Sequence, residues 1–324
     1  MMSALLRAAR IALLPLFAVC CAGATPDPDG PRPAVDDQDA VAIDGIFNFQ
    51  LPKILDYEAL RFTVTPHWSD FLRQDIVRIP FKVRYSFSRH FEGSVEMEPY
   101  FDNFGGHGPG GVGVAEYTFG AKYAWNALLQ PYIDTALGAS VVLPAPGAVP
   151  STNLGTAIFS PYVVFTRDAR RVRDLSYFLN LECEIFDSDP APGRLAAYRP
   201  SKDNFSVTPG VVLHRAPWHY TLAVSWRSTI LAGDNQNYVS LLPSVSWEVP
   251  AHFTRAVGGR WVAGLGYEAI IYDGGVEHRL TGRLKWDFDW RKTVRNMGNR
   301  FRDHLPWGVP PTAAFRTATR KFAA

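Results

Sequence analysis

Charged side chains recur at alternate positions in two neighbouring stretches of the chain. The first stretch carries basic residues and the second acidic ones: Arg78, Lys82, Arg84, Glu92, Glu96 and Glu98. Successive side chains of a β-strand point to opposite faces, so each charged set shares one face and the apolar residues between them share the other. A tight hairpin between the stretches would place Glu96 opposite Lys82 or Arg84, where opposite charges attract. The spacing predicts ion pairs that either brace a wet surface or select solutes by size and charge.

Residue types that carry out catalysis or bind metals do not occur at useful spacings. The chain has no His-x-Ser sequence, and His219 and Ser225 share a strand face about 20 Å apart at the rise of a strand. Its eight histidines show neither His-x-His nor His-x-x-x-His spacing, and Cys183 is the only cysteine after residue 24. Gly264 and Gly266 lie in a predicted strand and lack the following helix that a phosphate site needs. We therefore expect no catalytic residue, no metal site and no cofactor.

The alternation continues through twelve predicted strands. They span approximately residues 57–68, 77–88, 91–101, 113–126, 132–143, 156–166, 174–186, 204–214, 217–227, 237–248, 259–272 and 276–290. In each strand one face is apolar or aromatic and free of Asp, Glu, Lys and Arg, while the other face collects the charges. Further residues on the charged face are Glu116, Lys122, Arg279, Arg283 and Lys285. Because burying charged side chains in a core is costly, we predict that the charged face of the sheet contacts water and that the other face is apolar.

Strand direction places five tryptophans of the apolar face at the same end of the sheet. If the first strand rises from the periplasm, three tryptophans end descending strands and two begin rising ones. They are Trp125, Trp247 and Trp290 in the first group and Trp218 and Trp261 in the second. A belt of aromatic residues at a membrane interface produces this arrangement, whereas packing in a sandwich core does not favour tryptophans at one end. The apolar face is therefore predicted to contact lipid.

Six prolines within the predicted strands run against this interpretation, because each removes a hydrogen bond of the sheet. They are Pro66, Pro80, Pro99, Pro161, Pro209 and Pro243. An unmade backbone hydrogen bond is costly in lipid, so bulges or different strand boundaries must absorb them.

The first 24 residues have the features of an export signal. A basic start precedes an apolar run at 11–19, and Ala22-Gly23-Ala24 fits a cleavage site. The run is shorter than the roughly 20 residues of a transmembrane helix. We expect residues 1–24 to be a signal peptide that is removed. In the alternative, Cys20 or Cys21 would be acylated, although the residues before them suit that processing poorly.

The segments that flank the strands differ in composition. Residues 25–56 form an acidic leader, in which 46–56 is an added strand, an inserted plug or an interfacial segment. Residues 57–290 hold the strands. Residues 291–324 break the strand pattern and are basic, so we expect a periplasmic tail that is frayed or touches anionic lipid or cell wall.

By its export signal, alternating strands and aromatic rim, the stretch 57–290 resembles the bacterial outer-membrane β-barrel class of porins and transporters, without matching a specific subfamily. The resemblance implies an all-β fold, an antiparallel transmembrane β-barrel of about twelve strands, in the outer membrane of a Gram-negative-type bacterium after Sec export. It also implies outer-membrane lipid and the barrel-assembly machinery as partners. Barrels of this class usually end on an aromatic residue, and here Phe288 and Trp290 are followed by the basic tail.

The expected function is passive, weakly selective passage of small solutes through a charge-lined lumen, because the inward charges are of both signs. A net charge of +2 argues against nucleic acid as a partner. The main alternative is a non-conducting structural or adhesive barrel that acts through its external loops. Its loop 187–203 carries acids that would suit a divalent cation, although a solvated loop explains them as well. A hydrolase embedded in the barrel is the less favoured alternative.

Overall fold

Alternation of apolar and polar residues produces one continuous antiparallel sheet of thirteen strands in the computed structural model. The described residues are 50–55, 57, 59–66, 76–102, 111–125, 133–146, 155–169, 172, 174–187, 203–229, 237–250, 252–254, 259–272 and 274–289. The strands are β1 (Leu60–Val64), β2 (Ile76–Arg78), β3 (Phe81–Ser86), β4 (Phe91–Asp102), β5 (Val112–Trp125), β6 (Asp134–Pro144), β7 (Ile158–Asp168), β8 (Leu175–Phe186), β9 (Asn204–Arg215), β10 (Trp218–Thr229), β11 (Tyr238–Val249), β12 (Arg260–Tyr272) and β13 (Gly275–Asp289). None of the described residues forms a helix that is long and apolar enough to cross a membrane.

Pairing between the first and last strands closes the sheet into a barrel. Strand β1 pairs with β13, where Phe62 lies opposite Phe288, and on its other side with β3. Strands β3 and β4 then lead through β5 and each later strand back to β13, which makes a ring of twelve. Closure joins the two ends of the sheet where residues 61–64 pair with residues 286–289. The prediction of an all-β, antiparallel barrel of about twelve strands is confirmed.

The thirteenth strand, β2, comes from a predicted strand that is interrupted. It lies outside the ring and pairs with β4 in the same register as β3 does. Ile79 and Pro80 separate β2 from β3, and Pro80 has no N–H to donate. The neighbouring groups are still used, since Ile79 N–H donates to the Pro99 carbonyl at 3.0 Å and Thr65 N–H donates to the Pro80 carbonyl at 2.9 Å. The single strand predicted at 77–88 is therefore divided, and the first strand, predicted at 57–68, is shorter.

The prolines inside the longer strands each interrupt the sheet on one side only. Pro161 is paired with β6, but the register between β7 and β8 skips it. Pro209 is paired with β8 and skipped by β10, and Pro243 is paired with β10 and skipped by β12. Pro99 lies at a bulge between β4 and β5. Each proline thus affects one neighbouring strand, and pairing resumes on either side of it.

Burial in the barrel is the reverse of burial in a water-soluble protein. Leu222 on the outer face is 44% exposed, whereas Lys285 on the inner face is 2% exposed. Within the described strands, alternation places charge on the outer face only at Arg167 and Arg215, near the ends of β7 and β9. An exterior of this kind is stable against hydrocarbon rather than water.

Aromatic residues collect at the end of the barrel where β3 meets β4 and β9 meets β10, which we name the tryptophan rim. Trp125, Trp218, Trp247 and Trp261 lie at this end. The ring of Trp218 stacks on that of Trp247 with centroids 6.0 Å apart, and Trp261 stacks on Trp286 at 5.5 Å. Trp290, predicted for the same belt, lies outside the described residues. The opposite end is named the far rim.

Arginine at Leu222 tests the outward face. Leu222 lies four residues beyond Trp218 on β10, about 13 Å along the strand from the tryptophan rim. Arginine there should lower the free energy of unfolding by about 2–4 kcal/mol, because it lies near the middle of the apolar band. Arginine at Val276, at the far rim, should cost about 0–1 kcal/mol. Urea unfolding in phospholipid vesicles measures both variants, and equal costs would contradict this placement.

Candidate functional site in the barrel lumen

A cavity of about 290 Å³ lies inside the barrel against the walls formed by β13, β1 and β3–β8. Seven of the residues predicted to face the lumen line it: Lys82, Arg84, Glu92, Glu96, Lys122, Arg283 and Lys285. Glu182 and Tyr162 of the adjoining wall also line it. The other predicted residues, Arg78, Glu98, Glu116 and Arg279, lie outside the cavity lining and toward the far rim.

The hairpin of β3 and β4 brings its opposite charges together in rows. The register places Lys82 directly opposite Glu96, with Lys82 Nζ 3.2 Å from the Glu96 carboxylate. Arg78 and Glu98 are 3.6 Å apart nearer the far rim. Arg84 reaches Glu92 diagonally, at 3.8 Å, where both side chains are buried. The three pairs follow from the alternation that puts each set on the inner face.

The most deeply buried ion cluster of the described residues surrounds Asp287, which is 4% exposed. Its carboxylate lies 3.3 Å from Lys285 Nζ and 3.7 Å from Arg61 Nη1. The Thr63 hydroxyl donates a hydrogen bond of 2.6 Å to the same carboxylate. The cluster spans the junction of β13 with β1, where the barrel closes. It therefore balances two basic residues of the inner wall with one acid at the seam of the barrel.

A second charged group lies on the opposite wall. Arg227 Nη1 donates to Glu184 at 3.0 Å, and Asn204 Nδ2 donates to the same carboxylate oxygen at 2.9 Å. The guanidinium carbon of Arg227 lies 5.7 Å from the centre of the Tyr238 ring, within the range of a cation–π contact. This group places polar contacts on β8–β11, facing the charged wall of β13, β1 and β3–β5.

Near the tryptophan rim a third group joins two histidines to an ion pair. Arg260 binds Glu248 through two hydrogen bonds of 2.5 and 2.7 Å. His219 Nε2 lies 3.9 Å from the Glu248 carboxylate, and its Nδ1 lies 3.3 Å from Nδ1 of His214. Within the described residues, no group of three His, Cys, Asp or Glu side chains has the geometry of a metal site.

Residues 50–55 cross the inside of the barrel, and we name them the luminal segment. Leu51 is 3% exposed and packs in one apolar cluster. The cluster partners are inward residues of β8–β12: Phe178, Val212, Ala223, Leu242 and Val262. At the other wall, Lys122 Nζ donates to the carbonyls of Leu51 and Lys53 at 3.1 and 2.8 Å. Leu55 N–H donates to the Glu92 carboxylate at 3.0 Å. The luminal segment is therefore fixed to opposite walls of the barrel.

Two aromatic rings of the inner wall lie flat over glycines of the neighbouring strand. Tyr162 covers Gly138, its register partner, and Phe178 covers Gly210 in the same way. A Cβ atom at either glycine would clash with the ring. The absence of a side chain lets each ring lie along the wall rather than project into the lumen.

The sequence prediction did not assign several inward residues to the lumen. Their parity along the strands could have assigned them to it. Arg227, Glu248 and Arg260 all have the inward parity of β10, β11 and β12, but they lie at or near the strand ends. The apolar contacts of Leu51 carry no local signal, since they join it to residues more than 100 positions away.

Comparison with known proteins finds distantly similar solved structures and no family. No protein-family model and no curated protein matches the sequence. A KdgM porin is 9% identical with a TM-score of 0.43, covering 71% of this chain and 99% of the porin. A NanC porin is 11% identical with a TM-score of 0.43, covering 71% and 98%. An outer membrane channel from Pseudomonas putida F1 is 10% identical with a TM-score of 0.48, covering 73% and 97%.

Replacing Asp287 by asparagine tests the buried cluster. Loss of the carboxylate should lower the free energy of unfolding by about 3–5 kcal/mol, because Lys285 stays buried without it and Arg61 loses the same acidic partner. The control is Glu277→Gln on the same strand, whose partly exposed pair with Arg279 should contribute less than about 1 kcal/mol.

Adding Lys285→Met to Asp287→Asn should recover part of the loss, since it removes a buried charge that has lost the Asp287 carboxylate. Chemical unfolding in vesicles measures all variants. The same small loss from Asp287→Asn and Glu277→Gln would show that the buried cluster contributes nothing.

Proposed function

We propose that the protein is an outer-membrane channel that lets small hydrophilic solutes diffuse through its lumen. The observation that carries the proposal is the cavity of about 290 Å³ inside a closed barrel, lined by charged and hydroxyl side chains. A barrel of twelve strands is wide enough for a narrow channel when its inward side chains leave room. The rings that lie flat over Gly138 and Gly210 help to leave that room.

The proposed location is the outer membrane of a Gram-negative-type bacterium, reached by Sec export through residues 1–24. The apolar exterior and the tryptophan rim support it, with that rim on the periplasmic side. Lipid and the barrel-assembly machinery are the proposed partners. The proposal assigns no catalytic step to the lumen.

The proposed selectivity is weak and favours anions. The cavity lining holds five basic side chains and three acidic ones. Glu92 and Glu96 pair with Arg84 and Lys82, which balances two charges of each sign within the wall. A wall of mixed sign with a small basic excess biases passage by charge without excluding either sign.

The luminal segment is proposed to keep the channel closed for most of the time. Lys122 donates hydrogen bonds to two carbonyls of the segment, and Glu92 accepts one from an N–H group of the segment. Leu51 is inserted among apolar residues of the opposite wall. Hydrogen bonds to charged groups are each worth about 1.5–3 kcal/mol, so their loss shifts an equilibrium by about ten- to a hundredfold.

The same contacts support a non-conducting structural barrel as the second candidate, since the luminal segment and its cluster occupy the β8–β12 side of the lumen. A lumen that never opens would leave the loops as the functional part of the molecule.

Recordings from the full mature chain in planar bilayers distinguish the two candidates. Lys122→Gln should raise the open probability by about tenfold or more, because the luminal segment loses both hydrogen bonds from the ammonium. Lys82→Gln is the matched control: it removes the same charge from the same cavity, and Lys82 pairs with Glu96 rather than with the segment.

Lys82→Gln should alter charge selectivity and leave the open probability within about twofold of the wild type. Leu51→Ser, which weakens the apolar contact, should act like Lys122→Gln. If the wild type and all three variants fold, as shown by heat-modified gel migration, and none conducts, the channel is rejected in favour of the structural barrel.

A further inference from the structure

The place that Leu51 occupies inside the barrel has the chemistry of a small-molecule site. Its apolar part is formed by inward side chains of five neighbouring strands: Phe178, Val212, Ala223, Leu242 and Val262. Much of the surrounding described wall is polar, with buried hydroxyl and amide groups at Ser176, Asn180, Ser206, Thr221, Ser240 and Ser246. An apolar patch among such groups favours an apolar occupant, because burying apolar surface from water is favourable.

A cation lies beside the apolar patch. Lys122 is 5% exposed, and its ammonium donates to the carbonyl oxygen of Leu51 at 3.1 Å and to that of Lys53 at 2.8 Å. These two acceptors are neutral carbonyl oxygens, and Glu92 lies opposite Lys122 in the register of β4 and β5. A carboxylate oxygen in the same position would accept a stronger hydrogen bond, since both partners would be charged.

Leu51 itself sets the distance between the two parts. Its side chain fills the patch while its own carbonyl reaches Lys122, so the separation is that from the branched end of a leucine side chain to its carbonyl carbon. The anion 4-methylpentanoate has the same carbon skeleton with a carboxylate in place of the peptide carbonyl. The cavity of about 290 Å³ is lined by both Gln50 and Lys122, which gives solutes in the lumen a route to this place.

We propose that the Leu51 seat, formed by the five apolar residues and Lys122, is a binding site for small apolar carboxylates. The luminal segment occupies the seat in their absence, and the carboxylate displaces it. Displacement removes the contacts that hold residues 50–55 across the lumen, so the ligand opens the barrel. The opening rests on the proposed channel function, whereas binding to the seat does not.

Calorimetric titration of the full mature chain in detergent micelles with 4-methylpentanoate tests the seat. Saturable binding is expected. Leu51→Ser should strengthen it by about tenfold, because the competing side chain loses its apolar contact. In the Leu51→Ser background, where the segment competes least, adding Lys122→Gln should weaken binding by about tenfold or more, and adding Lys82→Gln should leave it within about twofold. The neutral amide 4-methylpentanamide and the short anion acetate should each bind at least about tenfold more weakly than 4-methylpentanoate.

The proposal is overturned if the folded Leu51→Ser variant shows no saturable binding at millimolar ligand. It is also overturned if, in the Leu51→Ser background, Lys122→Gln and Lys82→Gln weaken binding equally, or if acetate binds as tightly as 4-methylpentanoate. Bilayer recordings separate it from the channel proposal. Binding with the expected variant pattern but without conductance keeps the seat and rejects the channel. Conductance of Lys122→Gln without binding to any folded variant keeps the channel and rejects the seat.

Discussion

Hydrocarbon offers no hydrogen-bonding partners to a polypeptide backbone, and in the proposed membrane location the rest of the structure depends on this constraint. A sheet in lipid must pair its edges, so β1 returns to β13 and closes the ring. The same constraint limits the prolines to positions where only one neighbouring strand loses a partner. Closure then divides the side chains into an outward, mainly apolar set and an inward set that holds most of the charges.

This arrangement forces charged side chains to be buried in the inward set. Charges excluded from the exterior gather in a narrow space, where several of them are buried and need partners. Asp287 compensates Lys285 and Arg61 at the barrel seam, and Glu184 compensates Arg227 on the opposite wall. The luminal segment adds further partners, because its carbonyls accept from Lys122 and one of its N–H groups donates to Glu92. In the proposed channel, the contacts that close the lumen are therefore the same contacts that pair its charged groups.

Sequence reasoning succeeded wherever the signal was local. Alternation within each strand gave the two faces and the antiparallel barrel, and a hairpin between two alternating stretches brought Lys82 opposite Glu96. The interruption at Pro80 was harder to foresee, because the loss of one N–H does not reveal whether the strand bends or ends. Arg227 and Arg260 followed the parity rule but stood at strand ends, where boundaries are least certain. Leu51 was out of reach, since its neighbours are set by the curvature of the closed barrel and not by any nearby residue.

The position of Leu51 inside the barrel is the claim on which the account of closure and of the seat depends. Nuclear Overhauser spectra of the methyl-labelled full mature chain in lipid nanodiscs measure it directly. The account predicts cross-peaks from the Leu51 methyl groups to the Phe178 ring and to the methyl groups of Val212 and Val262. Leu51 methyl groups with random-coil shifts and no cross-peak to Phe178 would contradict it.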